Sequence, residues 1–369
     1  MLIAACSAAP DELLTPLVPQ VYELDDPAPF TSTDLVEATP LPVVTYEGSG
    51  EMVHPDALVF PRDWHGSRFW YAATPYPAGN PEFENPSGFV GNTSDEWGAI
   101  PGSRNPLATP AEGSYLSDPD LSYDPVKDEI RMYYRQTKLD KDEVLLTTSH
   151  QGYAWSAPVV VLQDSRYALI SPAIVREADG SWRMWTVNAE IGGCKSHVPY
   201  LKLNQRRSRD GITWGGVEDV RLTIPKYVPW HWDVQYIPAR REYWALIAAF
   251  PDGADCSRSA VYFARSADGT SWSVSPAPLL ATGAFEPMRD VVYRSSFRYF
   301  SNEDAVTVWF SGGRAENGRF KYSMAAARYP LQEMLRRVNG PGAMSQSRIP
   351  AHDDGELARA RARFVEAFP

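Results

Sequence analysis

Residues 116–161 read LSDPDLSYDPVKDEIRMYYRQTKLDKDEVLLTTSHQGYAWSAPVVV, and this stretch contains the unit from which the rest of the chain is built. It has four short runs rich in β-branched and aromatic residues, separated by the turn-forming segments DPVKDE, KLDKDE and HQGYAW. The runs cover residues 120–123, 130–135, 144–149 and 157–162. This pattern predicts one antiparallel meander of four strands.

The tryptophan that opens the fourth run recurs at a nearly constant spacing. Trp97, Trp155, Trp214 and Trp272 are separated by 58, 59 and 58 residues. Aromatic second strands precede these turns at residues 69–72, 132–135, 184–187 and 243–246, and a fifth such strand lies at 308–311. A four-stranded unit cannot bury both of its faces alone, so a repeat of this length is typical of a β-propeller. We therefore predict an all-β fold, a five-bladed β-propeller with four-stranded antiparallel blades.

The repeat also predicts the organisation of the chain. The propeller is expected to span residues 41–328, with blades at 52–107, 116–162, 170–222, 230–280 and 290–328. Because blade five lacks its own fourth strand, an N-terminal strand at residues 41–48 is expected to complete it and close the ring. Residues 329–369 are expected to form a helical extension that packs on the propeller, with helices at 329–340 and 354–368.

Charge and hydropathy argue against a nucleic-acid partner and against a membrane span. The chain has 46 acidic and 35 basic residues and a net charge of −11. Phosphate neutralisation needs concentrated lysine and arginine, and no such cluster is present, so we expect no nucleic-acid partner. No apolar run approaches the roughly 20 residues that a membrane span requires, so we expect no transmembrane segment.

The cysteines bear on the compartment. Residues 2–5 and Cys6 resemble the end of a bacterial lipoprotein signal, so residues 1–40 are interpreted as an export or tether segment, unless the match is chance. On the first interpretation the protein is secreted or held at the cell envelope by a lipid anchor at Cys6. Cys194 and Cys256 lie 62 residues apart, about one blade, in equivalent loops. They could form a disulfide, which suits an oxidising compartment, or remain free thiols.

The first strand of every propeller blade lines the central axis, so its polar residues from all blades converge. The leading positions are His54, Asp118, Ser171, His231 and Arg294. Two residues further along are Asp56, Asp120, Ala173, Asp233 and Ser296. Residues i and i+2 of a strand face the same side, and buried charges are costly unless paired or used. These positions are therefore candidates for a functional site, although an Asp before a strand often only caps a turn.

The loops between second and third strands open on the same face of the propeller. They add Glu84, Glu190 and Tyr76, while Arg135 ends a second strand. Trp232 and Tyr76 could stack on sugar rings or belong to the core. The carboxyl groups are candidate acids and bases because hydrophobic surroundings raise the pKa of such groups.

Three features of the sequence carry a resemblance: the five blades, an Asp-Pro pair at 118–119 that enters the axial strand of blade two, and S-x-D-G-x-x-W turns at 208–214 and 266–272. Through them the sequence resembles the five-bladed glycoside hydrolase superfamily that includes families 43, 32, 62, 68 and 130. The resemblance covers residues 42–328. It implies an Asp base, an Asp that tunes the acid and a Glu acid on the first three axial strands. The tuning position falls on Asp118, the base position on His54 beside Asp56, and the acid position on Ile170.

These observations favour a glycoside hydrolase that cleaves a polysaccharide or oligosaccharide at a central funnel with paired carboxylates, as a monomer and without a cofactor or metal. The candidate catalytic residues are Asp118, Glu190, Glu84, Asp233 and Asp56. The candidate substrate-binding residues are His54, Asp120, His231, Trp232, Arg294, Tyr76 and Arg135. Two alternatives are a carbohydrate-binding propeller without catalysis and a phosphorylase whose phosphate would bind Arg294, Arg135, Lys195 and His231.

Overall fold

The computed structural model describes residues 37–195, 202–339 and 354–366, and it contains five four-stranded antiparallel sheets. Blade one comprises β2 (Met52–Trp64), β3 (Ser67–Pro75), β4 (Ser87–Gly91) and β5 (Gly98–Ala99), and blade two comprises β6 (Tyr115–Asp124), β7 (Glu129–Thr137), β8 (Lys141–Ser149) and β9 (Val159–Ser165). Blade three comprises β10 (Ile170–Arg176), β11 (Trp182–Asn188), β12 (Lys202–Ser208) and β13 (Glu218–Asp219). Blade four comprises β14 (Tyr227–Ile237), β15 (Glu242–Pro251), β16 (Ala260–Ser266) and β17 (Ser273–Leu280). The first strands of neighbouring blades pack side by side around the axis. The predicted five-bladed propeller is confirmed.

Blade five joins the two ends of the domain. Its strands are β18 (Val291–Phe300), β19 (Ala305–Glu316), β20 (Arg319–Pro330) and β1 (Ala38–Leu41), in the order β1-β20-β19-β18. The closing strand is therefore N-terminal, as expected, but it lies at 38–41 rather than 41–48. The reason is local: the backbone turns at 45–48, where Gly48 N–H bonds to the carbonyl oxygen of Thr45, so these residues leave the sheet.

The S-x-D-G-x-x-W turns connect neighbouring blades. In one of them, Ser266 Oγ accepts a bond from Gly269 N–H at 2.8 Å, and the Gly269 carbonyl accepts the indole N–H of Trp185, in blade three, at 2.8 Å. Gly269 has a φ of +71°, and a Cβ there would lie 2.1 Å from Arg183 Nη1. Both observations require glycine, since other residues would be strained and would clash. The repeated motif therefore holds neighbouring blades together by hydrogen bonds.

Two helices follow the propeller. Helix α1 (Leu331–Asn339) buries its apolar face against blades four and five. Helix α2 (Asp354–Glu366) places Phe364 edge-on against Tyr293 and Phe320 of blade five. No helix among the described residues is long and apolar enough to cross a membrane.

The two internal cysteines are joined. Cys194 and Cys256 form a disulfide between the loops that follow the second strands of blades three and four. Cys6, with its proposed lipid anchor, lies outside the described residues.

Candidate active site

The axial strands carry β-bulges at their leading residues. The pairing register shifts between Val53 and Asp56 in blade one and between Ser117 and Asp120 in blade two, and equivalent shifts occur in the other three blades. Inside the first three bulges, His54, Asp118 and Ser171 have φ values of +54°, +53° and +52°. Such backbone costs about 1–3 kcal/mol per residue and is concentrated at functional sites. Bulges re-aim side chains, and here the re-aimed side chains meet.

Asp118 lies at the centre of the cluster. Its Oδ1 is 3.4 Å from His54 Nε2, 3.3 Å from His231 Nδ1 and 3.6 Å from Arg294 Nη1, and its Oδ2 is 3.1 Å from Arg135 Nε. All five side chains are buried. Burial by itself would raise the pKa of Asp118, but its electrostatic interactions with His54, Arg135 and His231 outweigh burial and hold the pKa well below its usual value. The carboxyl group is therefore ionised.

The two histidines are neutral at neutral pH. Burial lowers the pKa of His54 well below its usual value and also lowers the pKa of His231, although the Asp118 carboxylate opposes both shifts. His54 Nδ1 is 3.0 Å from Thr74 Oγ1, and His231 Nδ1 is 3.0 Å from Ser171 Oγ. Each Nε2 is buried without a hydrogen-bond partner among the described residues. A neutral imidazole has a lone pair to offer a metal ion.

His54, Asp118 and His231 fit a divalent metal ion. One ligand atom from each lies within 4.8 Å of the others, and two histidines with one carboxylate are a common catalytic ligand set. The 3.4 Å separation of His54 Nε2 and Asp118 Oδ1 suits two ligands that each lie about 2.0–2.2 Å from one ion. Thr74 and Glu84, beside His54 Nδ1, stand where outer partners of a metal-bound histidine stand. No metal was expected from the sequence, because these ligands have no diagnostic spacing along the chain.

Glu84 is the second carboxyl group at the site. Its Oε1 lies 3.4 Å from His54 Nδ1, so Glu84 and Asp118 approach opposite nitrogens of one ring. Burial raises the pKa of Glu84 well above its usual value, the nearby Asp118 carboxylate adds to the rise, and Arg135 opposes it. The pKa of Glu84 is thus raised while the pKa of Asp118 is lowered, and such a divergence is typical of acid and base pairs.

The three carboxyl groups two residues further along form a separate tier. Asp56 Oδ2 accepts the backbone N–H of Leu121 at 2.6 Å, and its Oδ1 accepts the hydroxyl of Ser296 at 3.0 Å. In the same way Asp120 accepts from Ile174 N–H at 3.2 Å and Asp233 accepts from Phe297 N–H at 3.1 Å. Each bond joins an axial strand to that of a neighbouring blade. The structure therefore gives Asp56, Asp120 and Asp233 structural partners, while their catalytic and binding roles remain predictions.

Other predicted site residues are placed as follows. Arg135, Arg294 and Tyr76 are buried at the site, whereas Trp232 is buried in the core with its ring 6.1 Å from that of Trp272. Glu190 has a side chain 40% exposed and lies 3.3 Å from Lys202 Nζ, outside the cluster.

Sequence reasoning missed three residues, Thr74, Tyr293 and Tyr322. Tyr293 directly precedes the leading residue of blade five, which is a usable signal. Thr74 could have been found from register, since it pairs with Val53, the residue before His54. Tyr322 lies on a third strand, where nothing in the repeat marks it.

Comparison with known proteins supports this architecture. No protein-family model matches the sequence. The A type blood N-acetyl-alpha-D-galactosamine deacetylase of Flavonifractor plautii is 27% identical over 316 residues, which is 71% of this chain; the chain spans 40% of the length of that relative.

Two solved structures share the fold. The crystal structure of an N-acetylgalactosamine deacetylase from F. plautii in complex with blood group B trisaccharide matches 86% of this chain and 100% of its own, with a TM-score of 0.75 and 22% identity. A xylan beta-1,4-xylosidase from Bacillus halodurans matches 81% of this chain and 54% of its own, with a TM-score of 0.56 and 16% identity. The chain therefore has the five-bladed propeller fold that a carbohydrate deacetylase and a glycoside hydrolase share, as the resemblance in its sequence implied.

Proposed function

We propose that this protein is a carbohydrate-active hydrolase that removes the acetyl group from an N-acetylated amino sugar at the propeller axis. The observation that carries this proposal is the His54–Asp118–His231 set at leading axial positions, with a histidine at position 54 where the glycoside hydrolase resemblance implied the Asp base. Two histidines and a carboxylate suit a metal ion better than they suit a glycosidic bond. The 27% identity to a deacetylase of N-acetyl-galactosamine supports the same reaction.

The residues of the site divide the work of amide hydrolysis. A divalent ion held by His54, Asp118 and His231 would supply Lewis acidity toward the amide carbonyl. Glu84 is the proton carrier, because its raised pKa allows one carboxyl group to accept a proton from the attacking water and return it to the departing amine nitrogen. Arg135 holds Asp118 ionised and oriented.

Hydrolysis of a glycosidic bond is the second candidate. The observation in its favour is the opposite displacement of the pKa values of Glu84 and Asp118, since a glycosidase needs a protonated acid and an ionised partner. Glu84 would protonate the leaving oxygen and Asp118 would act as the base. The cationic groups on both oxygens of Asp118 weaken it as a base, so we rank this candidate second.

Product analysis separates the candidates. The purified protein is incubated with N-acetylated oligosaccharides and xylo-oligosaccharides, and both acetate and new reducing ends are measured. Deacetylation predicts acetate without new reducing ends, loss of activity after chelation, and recovery with a divalent ion. New reducing ends without acetate would support glycoside hydrolysis, strict dependence on phosphate would support a phosphorylase, and binding without product would support a lectin-like propeller.

A variant pair tests the proton carrier. Glu84→Gln keeps the shape of the side chain and removes its titration, so we expect the rate to fall by about 10²–10⁴-fold. Glu82→Gln is the matched control, since Glu82 lies in the same short turn but is exposed. Equal activity of both variants would remove Glu84 from the mechanism.

We also propose that the protein works in an oxidising compartment, secreted or at the cell envelope. The Cys194–Cys256 disulfide supports this location. Fractionation of the producing cells, with the protein detected by antibody, tests it.

A further inference from the structure

Three tyrosine rings form one wall beside the site. The ring centroids are 5.0 Å apart for Tyr76 and Tyr322, 6.2 Å for Tyr293 and Tyr322, and 6.4 Å for Tyr76 and Tyr293. The Tyr293 ring also lies 5.1 Å from that of His54 and 4.9 Å from that of His231. Tyr76 follows β3 of blade one, whereas Tyr293 and Tyr322 belong to β18 and β20 of blade five. The wall therefore stands at the junction of blades one and five, in contact with both histidines of the candidate metal site.

The hydroxyl groups of Tyr76 and Tyr322 lack a hydrogen-bond partner within the part of the chain that the structure describes. Both oxygens are buried, and neither makes a hydrogen bond among the described residues. A buried polar group left without a partner costs free energy, and phenylalanine would pack in the same place without that cost. The hydroxyls are thus groups whose presence packing alone does not explain.

The surroundings of these hydroxyls favour a neutral polar ligand. Burial raises the pKa of both phenols well above the usual value, and the Glu84 carboxyl group adds to each rise, so both phenols stay neutral donors. Glu84 Oε1 is also buried without a hydrogen-bond partner. A phenol can both donate to and accept from a sugar hydroxyl. Among the described residues, the neutral His54 alone lies within ion-pair distance of Glu84.

We propose that the hydroxyls of Tyr76 and Tyr322 bind one hydroxyl group of the sugar that enters the site and set the preference between sugars that differ at that hydroxyl. The inference rests on the proposed function in one respect, that the site receives a sugar. A site built to bond a substrate hydroxyl discriminates strongly against an analogue that lacks it, because its buried polar groups are then left unpaired. Tyr76 and Tyr322 are accordingly specificity-determining residues for the proposed reaction.

The test is a pair of matched hydroxyl deletions on one strand. Tyr322→Phe removes only the hydroxyl beside the site. Tyr329→Phe is the control, because Tyr329 lies on the same strand β20, is 4% exposed and has a buried hydroxyl without a hydrogen-bond partner, yet it packs in another core cluster beside α1. Any general effect of the substitution on packing should be common to both variants, and thermal unfolding measures it.

Binding is measured by calorimetry with N-acetylgalactosamine, N-acetylglucosamine and their single-position deoxy analogues. For wild type, we expect one deoxy analogue to bind about tenfold more weakly than its parent, which corresponds to one lost hydrogen bond. For Tyr322→Phe, we expect the parent sugar to weaken by about tenfold and the difference between parent and that analogue to disappear. Tyr329→Phe should reproduce wild type.

Three outcomes overturn the inference: wild type that binds none of these sugars, Tyr322→Phe that discriminates as wild type does, or Tyr329→Phe that loses discrimination equally. The acetate assay decides the proposed function separately. Sugar binding that depends on Tyr322 without acetate release would refute deacetylation and leave the inference standing. Acetate release with unchanged sugar discrimination in Tyr322→Phe would support deacetylation and refute the inference.

Discussion

His54 Nε2 and Asp118 Oδ1 lie 3.4 Å apart, although the two residues belong to the axial strands of different blades. Both residues sit in a bulge with left-handed backbone. The same local distortion, repeated around the axis, brings equivalent positions together. The chemistry of the site therefore depends on which residue occupies the leading position of each blade.

Asp118→Asn should impair metal binding. The variant keeps the shape of the side chain but removes the charge that faces both histidines, so we expect at least a tenfold loss of affinity for Zn²⁺ or Mn²⁺ and a comparable loss of activity. Equilibrium dialysis with metal analysis measures the affinity. Asp140→Asn, at an exposed loop position, is the control. Wild-type affinity in Asp118→Asn would contradict the assignment of the ligand set.

Asp56→Ala should destabilise the ring. The substitution leaves the backbone N–H of Leu121 and the hydroxyl of Ser296 without their acceptor, and one unpaired buried group costs about 1–3 kcal/mol. We expect the free energy of unfolding, measured in urea, to fall by about 2–4 kcal/mol. Asp56→Asn retains an acceptor and should lose less, and Asp63→Ala, at an exposed position, should have little effect.

The same Asp56 variants test the catalytic role predicted from the sequence. If Asp56 only joins blades, Asp56→Asn keeps its activity within a few-fold. A stable but inactive Asp56→Asn protein would instead place this carboxyl group in the reaction.

Asp120→Asn should stabilise the protein more at pH 8 than at pH 4. Burial raises the pKa of Asp120 well above its usual value, and Asp56 and Asp233 add to the rise. As pH rises above the unfolded value of about 3.9, the unfolded chain loses its proton more readily than the folded protein, so Asp120 destabilises the fold increasingly until the folded pKa is passed. Asparagine cannot ionise, so the variant does not lose this stability as pH rises.

Urea unfolding of wild type and Asp120→Asn across this pH range checks the sign. Asp140→Asn again serves as the exposed control. A stability difference that shrinks as pH rises would show that Asp120 is ionised in the fold.

Reduction of the Cys194–Cys256 disulfide should lower the melting temperature. The bridge closes a segment of 62 residues, for which the chain-entropy relation gives about 4 kcal/mol. Differential scanning calorimetry with and without reductant measures the shift. The double variant Cys194→Ser/Cys256→Ser should melt near the reduced protein and should not respond to reductant. A response in the double variant would place the redox effect elsewhere.

The sequence was sufficient to predict the propeller because its interblade turns have chemical requirements. Gly269 must approach Arg183 closely, and Trp185 needs its carbonyl, so the motif recurs at the turns 208–214 and 266–272. The closing strand was harder to place, since Leu41 is buried while Val44 is 85% exposed and both suit a strand.

The candidate site was predictable only in part. Axial alignment identified His54, Asp118 and His231, but it could not separate their tier from that of Asp56, because alternate residues of a strand face one side. Only the backbone partner of Asp56 reveals the difference. Glu190 lies outside the cluster, because the course of its loop is not encoded in strand periodicity, and its catalytic role stays a prediction.

Strand β1 pairs with β20, so the start and the end of the domain share one sheet. During synthesis, the N-terminal strand must wait for nearly the whole propeller to emerge before it finds its place. Tension applied at the N-terminus would act directly on this four-residue strand, Ala38–Leu41. We expect β1 to separate from β20, so that blade five loses its pairing before the other four blades.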